Sequence, residues 1–387
     1  MEYKKINELT AVVTGGTPST RKNEYWDNGD IPWLQSGCCQ NCDVDSTEKY
    51  ITKEGYNNSS THMMPADTVM IALTGATAGK VGYLKFEACG NQSITGILPC
   101  ESLNQRYLFF YLLSQREKIL ADCVGGAQAH ISQSYVKNMT IPILAIKEQE
   151  QIVGELTKLS NIVSLRQEEI QQLDALIKAR FVEMFGNPVT NEKGWTQKLL
   201  GEITIKIGSG ATPRGGKSTY QENGIALIRS MNVHNGMFEY RELAHISDEQ
   251  ATKLDNVVIE ENDVLLNITG ASVARSCVVP SEILPARVNQ HVCVIRCKEC
   301  IIPEFLNNLL IDDNYQELLW SIARAGATRE AITKQQVECL QIIMPPVELQ
   351  NEFMKFCKQV DKSKVAVQKA LDETQILFDS LMQKYFG

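Results

Sequence analysis

The sequence Thr-Gly-Ala-Thr at residues 74–77 recurs as Thr-Gly-Ala-Ser at residues 269–272. Each copy follows an apolar run, Val-Met-Ile-Ala-Leu at 69–73 and Val-Leu-Leu-Asn-Ile at 264–268. Short apolar runs that end in a glycine-containing turn are typical of buried strands. The sequence therefore predicts the same strand and turn twice in one chain.

Outward from these turns, further segments match in the same order at separations of about 194 to 201 residues, which is the sequence signature of an internal repeat. Each match is short, but the preserved order argues against chance. We therefore predict a duplicated chain. The matching pairs are 15–18 with 210–213, 31–36 with 225–230, 91–92 with 289–290, and 185–186 with 386–387.

Both halves follow one plan, which predicts an α+β fold. Short β-prone runs come first, broken by glycine, asparagine and proline. A helix is then predicted over roughly 105–122 in the first half and 303–323 in the second. A glycine-containing loop and a short strand follow, and each half closes with a long, uninterrupted helical pattern.

The two closing segments carry apolar residues in steps of four and three, which is the pattern of a coiled-coil seam. Arg166 and Arg180 interrupt the stripe of the first segment. Each helix would span roughly 57 Å, and short connections favour antiparallel packing. The alternative is an amphipathic helix that lies on its own domain. The predicted seam residues are Ile152, Leu156, Leu159, Val163, Ile170, Leu173, Ile177, Phe353, Val360, Leu371, Phe378 and Leu381.

Composition bounds the class of protein. The chain has 387 residues, 43% hydrophobic and 22% charged, with a formal net charge of -8, which excludes a uniformly basic nucleic-acid coat. The sequence has no apolar run of transmembrane length and no apolar stretch after Met1 of the secretory type, so we expect a cytoplasmic protein without a membrane partner. The 12 scattered cysteines fit reduced thiols.

Motifs for catalysis or metal binding are near misses. The segment 210–218 resembles a phosphate-binding loop, but five residues rather than four separate its first glycine from Gly-Lys-Ser. The Cys-x-x-Cys pairs at 39–42 and 297–300 occupy non-equivalent places in the two halves, so free thiols are the preferred interpretation over a shared zinc site. No nucleophile elbow or zinc-protease helix motif occurs. We predict no catalytic residue and no metal ligand.

The duplicated pattern resembles the specificity subunit of type I restriction–modification systems, and the resemblance covers essentially the whole chain. Order and duplication make it specific, because each motif alone is loose. The motifs that carry it are Gly-Gly-Thr-Pro-Ser (15–19), Ile-Pro-Trp-Leu (31–34), Thr-Gly-Ala-Thr-Ala-Gly-Lys-Val-Gly (74–82), Asn-Gln-Ser-Ile (91–94), and the strand-to-helix junctions at 141–153 and 344–350.

The resemblance implies two β-rich target-recognition domains, 1–146 and 187–347, and two conserved spacer helices, 147–186 and 348–387. The helices would form an antiparallel coiled coil with pseudo-twofold symmetry. Each domain would read one half of a split, asymmetric site in double-stranded DNA.

The resemblance also implies partners. The helices would dock two methyltransferase subunits, which bind S-adenosylmethionine, and restriction subunits that use ATP and Mg²⁺ would join through the complex. The chain itself would bind no cofactor and would not be an enzyme.

Loops between the short strands are the natural place for DNA contacts. Arg and Lys suit guanine edges or phosphates, whereas Gln and Asn suit adenine. An exposed basic residue can equally be a solvated side chain, and the Asn-Gln pairs at 91–92 and 289–290 can be structural hydrogen-bonding groups. The predicted DNA-binding residues are Thr17, Ser19, Arg21, Lys22, Gln35, Thr77, Lys80, Gln128, His130, Thr212, Arg214, Lys217, Arg229, Asn232, His234, Ser272, Arg275, Thr328 and Arg329.

Two other classes of function compete with this interpretation. One is a coiled-coil scaffold with two β-rich partner-binding modules and no DNA readout, which the acidic charge balance favours. The other is a self-contained modification enzyme, which the missing cofactor and catalytic motifs disfavour. Because neither predicted recognition domain is basic in sum, we expect the isolated chain to bind DNA weakly.

Overall fold

The structure, a computed structural model, describes residues 2–122, 130–213, 215–325 and 330–387. The chain divides into two compact units. Unit 1 comprises Met1–Glu168 and Gln368–Gly387, and unit 2 comprises Glu169–Val367. Unit 1 is therefore built from two separate stretches of chain, whereas unit 2 is continuous. The finer predicted division into recognition domains and spacer helices stays a prediction.

The described residues of unit 1 form small sheets with the orders β1–β10, β2–β9–β6–β7–β4 and β5–β3–β8. Strand β6 pairs antiparallel with both β7 and β9, so it lies in the middle of the largest sheet. All four of its residues are buried. The strands are β1 (Glu2–Lys5), β2 (Val12–Thr14), β3 (Ile31–Leu34), β4 (Cys42–Val44), β5 (Tyr50–Ile51), β6 (Val69–Ala72), β7 (Val81–Leu84), β8 (Cys89–Gly90), β9 (Ile94–Ile97) and β10 (Thr140–Ile143).

The described residues of unit 1 also form short helices. The predicted helix over 105–122 is broken into two helices, α3 and α4, at Gln115. Asn104 starts α3, since its side chain accepts hydrogen bonds from the next turn. The helices are α1 (Ile6–Leu9), α2 (Lys53–Asn57), α3 (Gln105–Ser114), α4 (Arg116–Ala121) and α5 (Gln133–Asn138).

The described residues of unit 2 form sheets with the orders β11–β21, β12–β20–β17–β18, β16–β13–β19 and β14–β15. Strand β17 lies between β18 and β20, as β6 lies between β7 and β9 in unit 1. The strands are β11 (Gln197–Leu199), β12 (Thr204–Ser209), β13 (Ile225–Ile228), β14 (Val233–His234), β15 (Met237–Phe238), β16 (Ala244–Ile246), β17 (Val264–Asn267), β18 (Ser276–Val278), β19 (Ala286–Val288), β20 (Val292–Cys297) and β21 (Gln341–Ile343).

The predicted helix over 303–323 is also two helices. Asp312 breaks it, because its carboxylate accepts hydrogen bonds from the backbone N–H groups of Asn314 (3.0 Å) and Tyr315 (3.3 Å) and so caps a new helix. The helices of unit 2 are α7 (Asp248–Thr252), α8 (Pro303–Leu310), α9 (Asp313–Arg324) and α10 (Lys334–Glu338).

Glycine is required where two loops approach a strand end closely. A Cβ atom on Gly15 would lie 2.0 Å from the carbonyl oxygen of Gly90, and one on Gly210 would lie 1.8 Å from that of Val288. Both distances are far below van der Waals contact. These glycines hold the loops that follow them against the ends of β8 and β19.

The two longest helices of the described chain are α6 (Ile146–Phe185) and α11 (Val347–Phe386). Each contributes one part to each unit. The predicted seam residues are all buried or half-buried. Although each helix has 40 residues, no described helix carries an apolar stretch that could cross a bilayer.

Within unit 1, the first part of α6 packs antiparallel to the last part of α11. The hydroxyl of Tyr385 donates to a carboxylate oxygen of Glu155 at 2.5 Å. Arg166, which interrupts the apolar stripe, donates to the carbonyl of Ala370 and to the hydroxyl of Thr374. The stripe tolerates this arginine because its guanidinium meets hydrogen-bond acceptors on the facing helix.

Within unit 2, the last part of α6 packs antiparallel to the first part of α11. The ring centroid of Phe353 lies 5.5 Å from those of both Phe181 and Phe185. Arg180 lies at the edge of this cluster, where it forms ion pairs with Glu183 (2.8 Å) and Glu352 (3.2 Å). The interrupting arginine is here placed at a half-exposed position.

Candidate nucleic-acid interface

In unit 1, the loop after β2 and the loop before β9 meet at one edge of the sheet. The hydroxyl of Thr17 donates to the amide oxygen of Gln92 at 2.6 Å. The next residue, Ser93, accepts a backbone hydrogen bond from Leu73 at the end of β6 (2.8 Å). The repeated Thr-Gly-Ala-Thr turn follows directly, with Gly75 at a positive φ of 72°. Three loops from distant parts of the sequence therefore come together.

A cavity of about 740 Å³ opens beside the Thr17–Gln92 pair. Thr17 and Gln35, both predicted to contact DNA, line it together with Asn91. Its apolar wall contains Trp26 and Trp33, whose rings meet edge to face at 5.0 Å. Amide and hydroxyl groups beside aromatic rings are the chemistry of base-edge and base-face contacts.

The other predicted residues of unit 1 that the structure describes do not line this cavity. Arg21, Ser19 and Lys22 are exposed. The ammonium of Lys22 contacts the hydroxyl of Tyr25 at 2.9 Å, and this hydrogen bond is the main cause of its raised pKa. That charge is therefore directed toward its own loop.

On the repeated turn, Thr77 donates to the carbonyl of Thr74 at 3.3 Å. Lys80 donates to the side chain of Gln40 at 2.6 Å. The exposed residue His130 forms a backbone bridge with Thr74. Thus Thr77 and His130 both lie next to Thr74, whereas Lys80 is engaged by the loop after β3.

Unit 2 repeats the loop contact of unit 1 and extends it. Thr212 donates to the amide oxygen of Gln290, as Thr17 does to Gln92. The amide nitrogen of Gln290 lies 3.0 Å from Nε2 of His291. Nδ1 of His291 lies 2.5 Å from the hydroxyl of Thr269, the first residue of the repeated turn. A continuous chain of hydrogen bonds therefore joins the three loops of unit 2.

A cavity of about 1020 Å³ lies beside this chain of hydrogen bonds. Ser272 and Arg275, both predicted to contact DNA, line it together with Thr269 and His291. The guanidinium of Arg275 lies 3.5 Å from Nδ1 of His234, which was also predicted to contact DNA. The structure therefore groups the predicted residues Ser272, Arg275 and His234.

Two predicted residues of unit 2 are engaged by their own domain. Asn232 is fully buried, and its amide donates to the carbonyl of Glu239 at 2.9 Å, so it is left out of the candidate surface. Arg229 donates to the carbonyl of Glu242, and its guanidinium lies 5.5 Å from the centre of the Tyr220 ring.

The remaining predicted residues of unit 2 that the structure describes, Thr212 and Lys217, follow β12. Thr212 lines a second cavity, of about 770 Å³, and Lys217 is exposed. The predictions for Gln128, Arg214, Thr328 and Arg329 lie outside the described residues.

Sequence reasoning missed the central members of both loop contacts. Gln92 and Gln290, for which the sequence left a structural role open, are absent from the predicted DNA-binding residues, and so is His291. The repeat itself could have indicated the glutamines, because both the threonine (Thr17 and Thr212) and the glutamine (Gln92 and Gln290) occur in both halves. His291 aligns with Ser93, so a comparison of the two halves shows that this position carries different side chains.

Ionisable groups near the edge of unit 1 are held by local contacts. Arg106 forms two hydrogen bonds with the carboxylate of Asp43, at 2.5 and 2.8 Å, and lies 3.6 Å above the Tyr83 ring. Burial, together with a hydrogen bond to Asp67, raises the pKa of Tyr83 to about 12. Asp43, Arg106, Tyr83 and Asp67 therefore hold one another in place, which is a structural role.

The described cysteines are free thiols. A hydrogen bond with Cys38, reinforced by burial, raises the pKa of Cys39 well above its usual value. Among the described residues, no group of three or more His, Cys, Asp or Glu side chains is arranged to hold a metal ion.

Comparison with known proteins identifies the class. The sequence matches the family described as type I restriction modification DNA specificity domain at residues 1–175 and again at 192–374. The chain therefore belongs to the family of type I restriction–modification specificity subunits, as the motifs and their duplication indicated.

Individual relatives support this membership. The chain is 24% identical over 406 residues to the type I restriction enzyme MjaIX specificity subunit of Methanocaldococcus jannaschii, covering 99% of this chain and 92% of that subunit. It is 33% identical over 169 residues to the EcoR124I/EcoR124II specificity subunit of Escherichia coli, a match that covers 42% of each chain.

Solved structures share the fold. The S subunit of a type I restriction–modification system from M. genitalium has a TM-score of 0.59 at 15% identity, covering 100% of this chain and 96% of that one. A structure from work on complex assembly and conformational transition of the type I R-M system has a TM-score of 0.60 at 18% identity, covering 100% and 97%.

Proposed function

We propose that this chain is the sequence-specificity subunit of a type I restriction–modification complex and reads a bipartite, asymmetric site in double-stranded DNA. One observation carries the proposal. Both units bring a threonine and a glutamine together, Thr17 with Gln92 and Thr212 with Gln290, at the sheet edge that also bears the repeated turn. Two copies of one polar surface on one chain suit a target with two half-sites.

The differences between the two surfaces support an asymmetric target. In unit 1 the cavity beside the pair is lined by Gln35, Asn91 and two tryptophans. In unit 2 the larger cavity is lined by Arg275 and His291. Amides favour adenine, and arginine favours guanine, so the two units should select different bases.

We further propose that α6 and α11 form an antiparallel coiled coil that spaces two target-recognition domains and relates them by a pseudo-twofold duplication. The shared strand orders, β2–β9–β6–β7 and β12–β20–β17–β18, support the duplication. The buried and half-buried seam residues support the coiled coil.

The same helices are proposed to dock two methyltransferase subunits. Apolar side chains remain exposed on them, although the facing seam is covered. Such residues mark binding surfaces when they lie close together. In unit 1 they are Ile146, Ile162, Leu165, Ile376 and Leu377, and in unit 2 they are Leu176, Val182 and Val365.

Restriction subunits are proposed to join through this complex. S-adenosylmethionine, ATP and Mg²⁺ would then be bound by the partner subunits. This chain would determine where on the DNA the reaction takes place, and its side chains would not catalyse the reaction.

Methylome sequencing of the host, with and without this gene, tests the proposal. The expected result is a split motif that is methylated only when the gene is present. Replacing Thr17 by alanine should alter selection in one half of that motif, and replacing Thr212 by alanine should alter selection in the other half. An unchanged methylome after deletion of the gene would contradict the proposal.

A gel shift with the matching methyltransferase separates this function from a scaffold without DNA readout. Affinity that falls steeply between 50 and 200 mM salt indicates phosphate contacts. Binding to the methyltransferase without any sequence-selective DNA shift would favour the scaffold.

A further inference from the structure

We propose that His291 is a positioning residue that determines specificity in unit 2, because it fixes which hydrogen-bonding group the Thr269 hydroxyl offers to a base edge. This inference rests on the proposed DNA-reading function. At the position next to the glutamine, the two units share a backbone arrangement and differ in the side chain, which is serine in unit 1 and histidine in unit 2.

The backbone around this place is the same in both units. Asn91 Oδ1 accepts from the backbone N–H of Ser93 at 3.1 Å, and Asn289 Oδ1 accepts from that of His291 at 3.0 Å. The carbonyl of Ser93 accepts from Leu73 at 2.8 Å, and the carbonyl of His291 accepts from Ile268 at 2.9 Å. The frame is therefore conserved between the units, and the imidazole is the added element.

The hydrogen bonds of unit 2 have a fixed direction. The amide nitrogen of Gln290 can only donate, so Nε2 of His291 must accept. A neutral imidazole that accepts at Nε2 carries its hydrogen on Nδ1. Nδ1 therefore donates to the hydroxyl oxygen of Thr269. The other end of the chain agrees, since Thr212 donates to the oxygen of the same glutamine.

This direction determines what Thr269 presents. Its oxygen accepts from the imidazole, so its own hydrogen is free to donate into the cavity that it lines with Ser272 and Arg275. A donor at this point favours an acceptor on the base edge, such as a purine N7, guanine O6 or thymine O4. It disfavours the amino groups of adenine and cytosine.

Unit 1 lacks this control because a serine occupies the equivalent position. A serine side chain is shorter than an imidazole and carries no second polar atom, so Ser93 cannot bridge Thr74 and Gln92 through two separate atoms as the ring does. The hydroxyl of Thr74 therefore receives no imidazole hydrogen bond from the residue at position 93. The two units should therefore differ in how strictly they select the base that faces the first threonine of the repeated turn.

Methylome sequencing of full-length variants, expressed with the matching methyltransferase, tests the inference. We expect His291→Ser and Thr269→Val each to reduce discrimination at one base pair of the unit 2 half-site by about 3- to 10-fold, the range of one hydrogen bond. The unit 1 half-site should be unchanged. The double variant should show no more loss than either single variant, because both changes remove the same contact.

Three further measurements keep the outcomes distinct. Thr74→Val is the matched control and should affect only the unit 1 half-site. Thermal unfolding checks that each variant folds. If His291→Ser does not fold, Thr269→Val, which preserves the shape of the side chain, tests the same contact. His291→Asn can still donate to Thr269 and should restore most of the discrimination, which a purely structural defect would not allow.

Unchanged base choice in both single variants, with a wild-type motif that depends on this chain, would overturn the inference and leave the proposed function standing. Additive losses in the double variant would also overturn it. If the wild-type chain directs no motif at all, the proposed function itself fails.

Discussion

The ring of Phe386, near the end of α11, lies 5.2 Å from the ring of Tyr107 in α3, measured between centroids. Tyr111, one helical turn further along α3, lies 5.8 Å from the same ring. All three side chains are buried. The last turn of the chain thus completes the hydrophobic core of the unit that the first residues begin.

Replacing Phe386 by alanine should destabilise unit 1 by about 3–5 kcal/mol, because the variant loses buried aromatic surface and leaves a cavity. Hydrogen exchange of the β6 and β9 amides measures this loss, and those of β17 and β20 in unit 2 serve as the internal reference. Leu377→Ala, on an exposed face of the same helix, is the control and should change stability by no more than about 0.5 kcal/mol. Equal effects of the two changes would contradict the packing described for Phe386.

Arg296 pairs with Asp263, whose side chain is fully buried in unit 2. Its Nε and one terminal nitrogen donate to the two carboxylate oxygens at 2.8 and 2.9 Å. Arg296→Met should cost about 3–5 kcal/mol, because it leaves a buried carboxylate without its partner.

The double variant Arg296→Met, Asp263→Asn should recover most of this loss, because the uncompensated charge is gone. Hydrogen exchange of β17 and β20 reports the free energy of opening in each variant. The exposed pair Lys253–Glu249 is the comparison, and Lys253→Ala should cost no more than about 1 kcal/mol. A double variant as unstable as the single one would disprove the account.

Tyr83 links stability to high pH. Burial and the hydrogen bond to Asp67 raise its pKa to about 12, above the unfolded value of about 10. Its contribution is therefore fully present below about pH 10 and is lost as the pH rises toward 12. Tyr83→Phe should lose less stability across this window, although it starts lower at pH 7 without the hydrogen bond to Asp67.

Circular dichroism across pH 7–12 measures the change. The exposed Tyr50, replaced by phenylalanine, is the control and should follow the wild-type curve. A Tyr83→Phe curve parallel to wild type between pH 10 and 12 would remove Tyr83 as the cause.

Arg275 should read a base in the unit 2 half-site, since it lines the cavity beside Thr269. Arg275→Ala should weaken binding to the cognate site by about 1–3 kcal/mol and relax selection at one position. Arg229→Ala should have a smaller effect, because that guanidinium is engaged with Glu242 and Tyr220. Titrations of the methyltransferase complex on cognate and singly substituted duplexes decide between these roles, and equal weakening on every duplex would make Arg275 a phosphate contact.

The long helices should set the distance between half-sites. Inserting one heptad into both α6 and α11 should lengthen the unread spacer and leave both half-site sequences as they are, because the seam register is preserved. Methylation-site sequencing reads both quantities at once. A four-residue insertion, which breaks the register, is the matched control and should abolish specific methylation. An unchanged spacer length after the heptad insertion would show that the helices do not set the distance between the half-sites.

Elements with a clear hydrophobic pattern in the sequence were the easiest to predict. The long, uninterrupted helical patterns that close the two halves correspond to α6 (Ile146–Phe185) and α11 (Val347–Phe386). The strands before the repeated turns occur as β6 and β17. Local polar chemistry was harder to predict, and Asp312 shows why. Its carboxylate caps a new helix inside a continuous apolar pattern, and periodicity does not register a cap.

The candidate site was predicted only in outline. The sequence indicated loops between strands as the place for DNA contacts, and in the structure Thr17 and Gln35, from two of these loops, line one cavity. The role of each side chain was not predictable, because it depends on partners far apart in sequence. Asn232 resembled an exposed reader in sequence, yet its amide is buried by contacts with the carbonyls of Glu239 and Arg241.

The division of the chain also determines the order in which the two units can be completed during synthesis. Unit 2 occupies the continuous stretch Glu169–Val367, whereas unit 1 needs both Met1–Glu168 and Gln368–Gly387. During translation, unit 2 is thus the first unit for which every residue is available. Unit 1 can be completed only after Gln368–Gly387 has been synthesised, and until then its hydrophobic core lacks the Phe386 side chain.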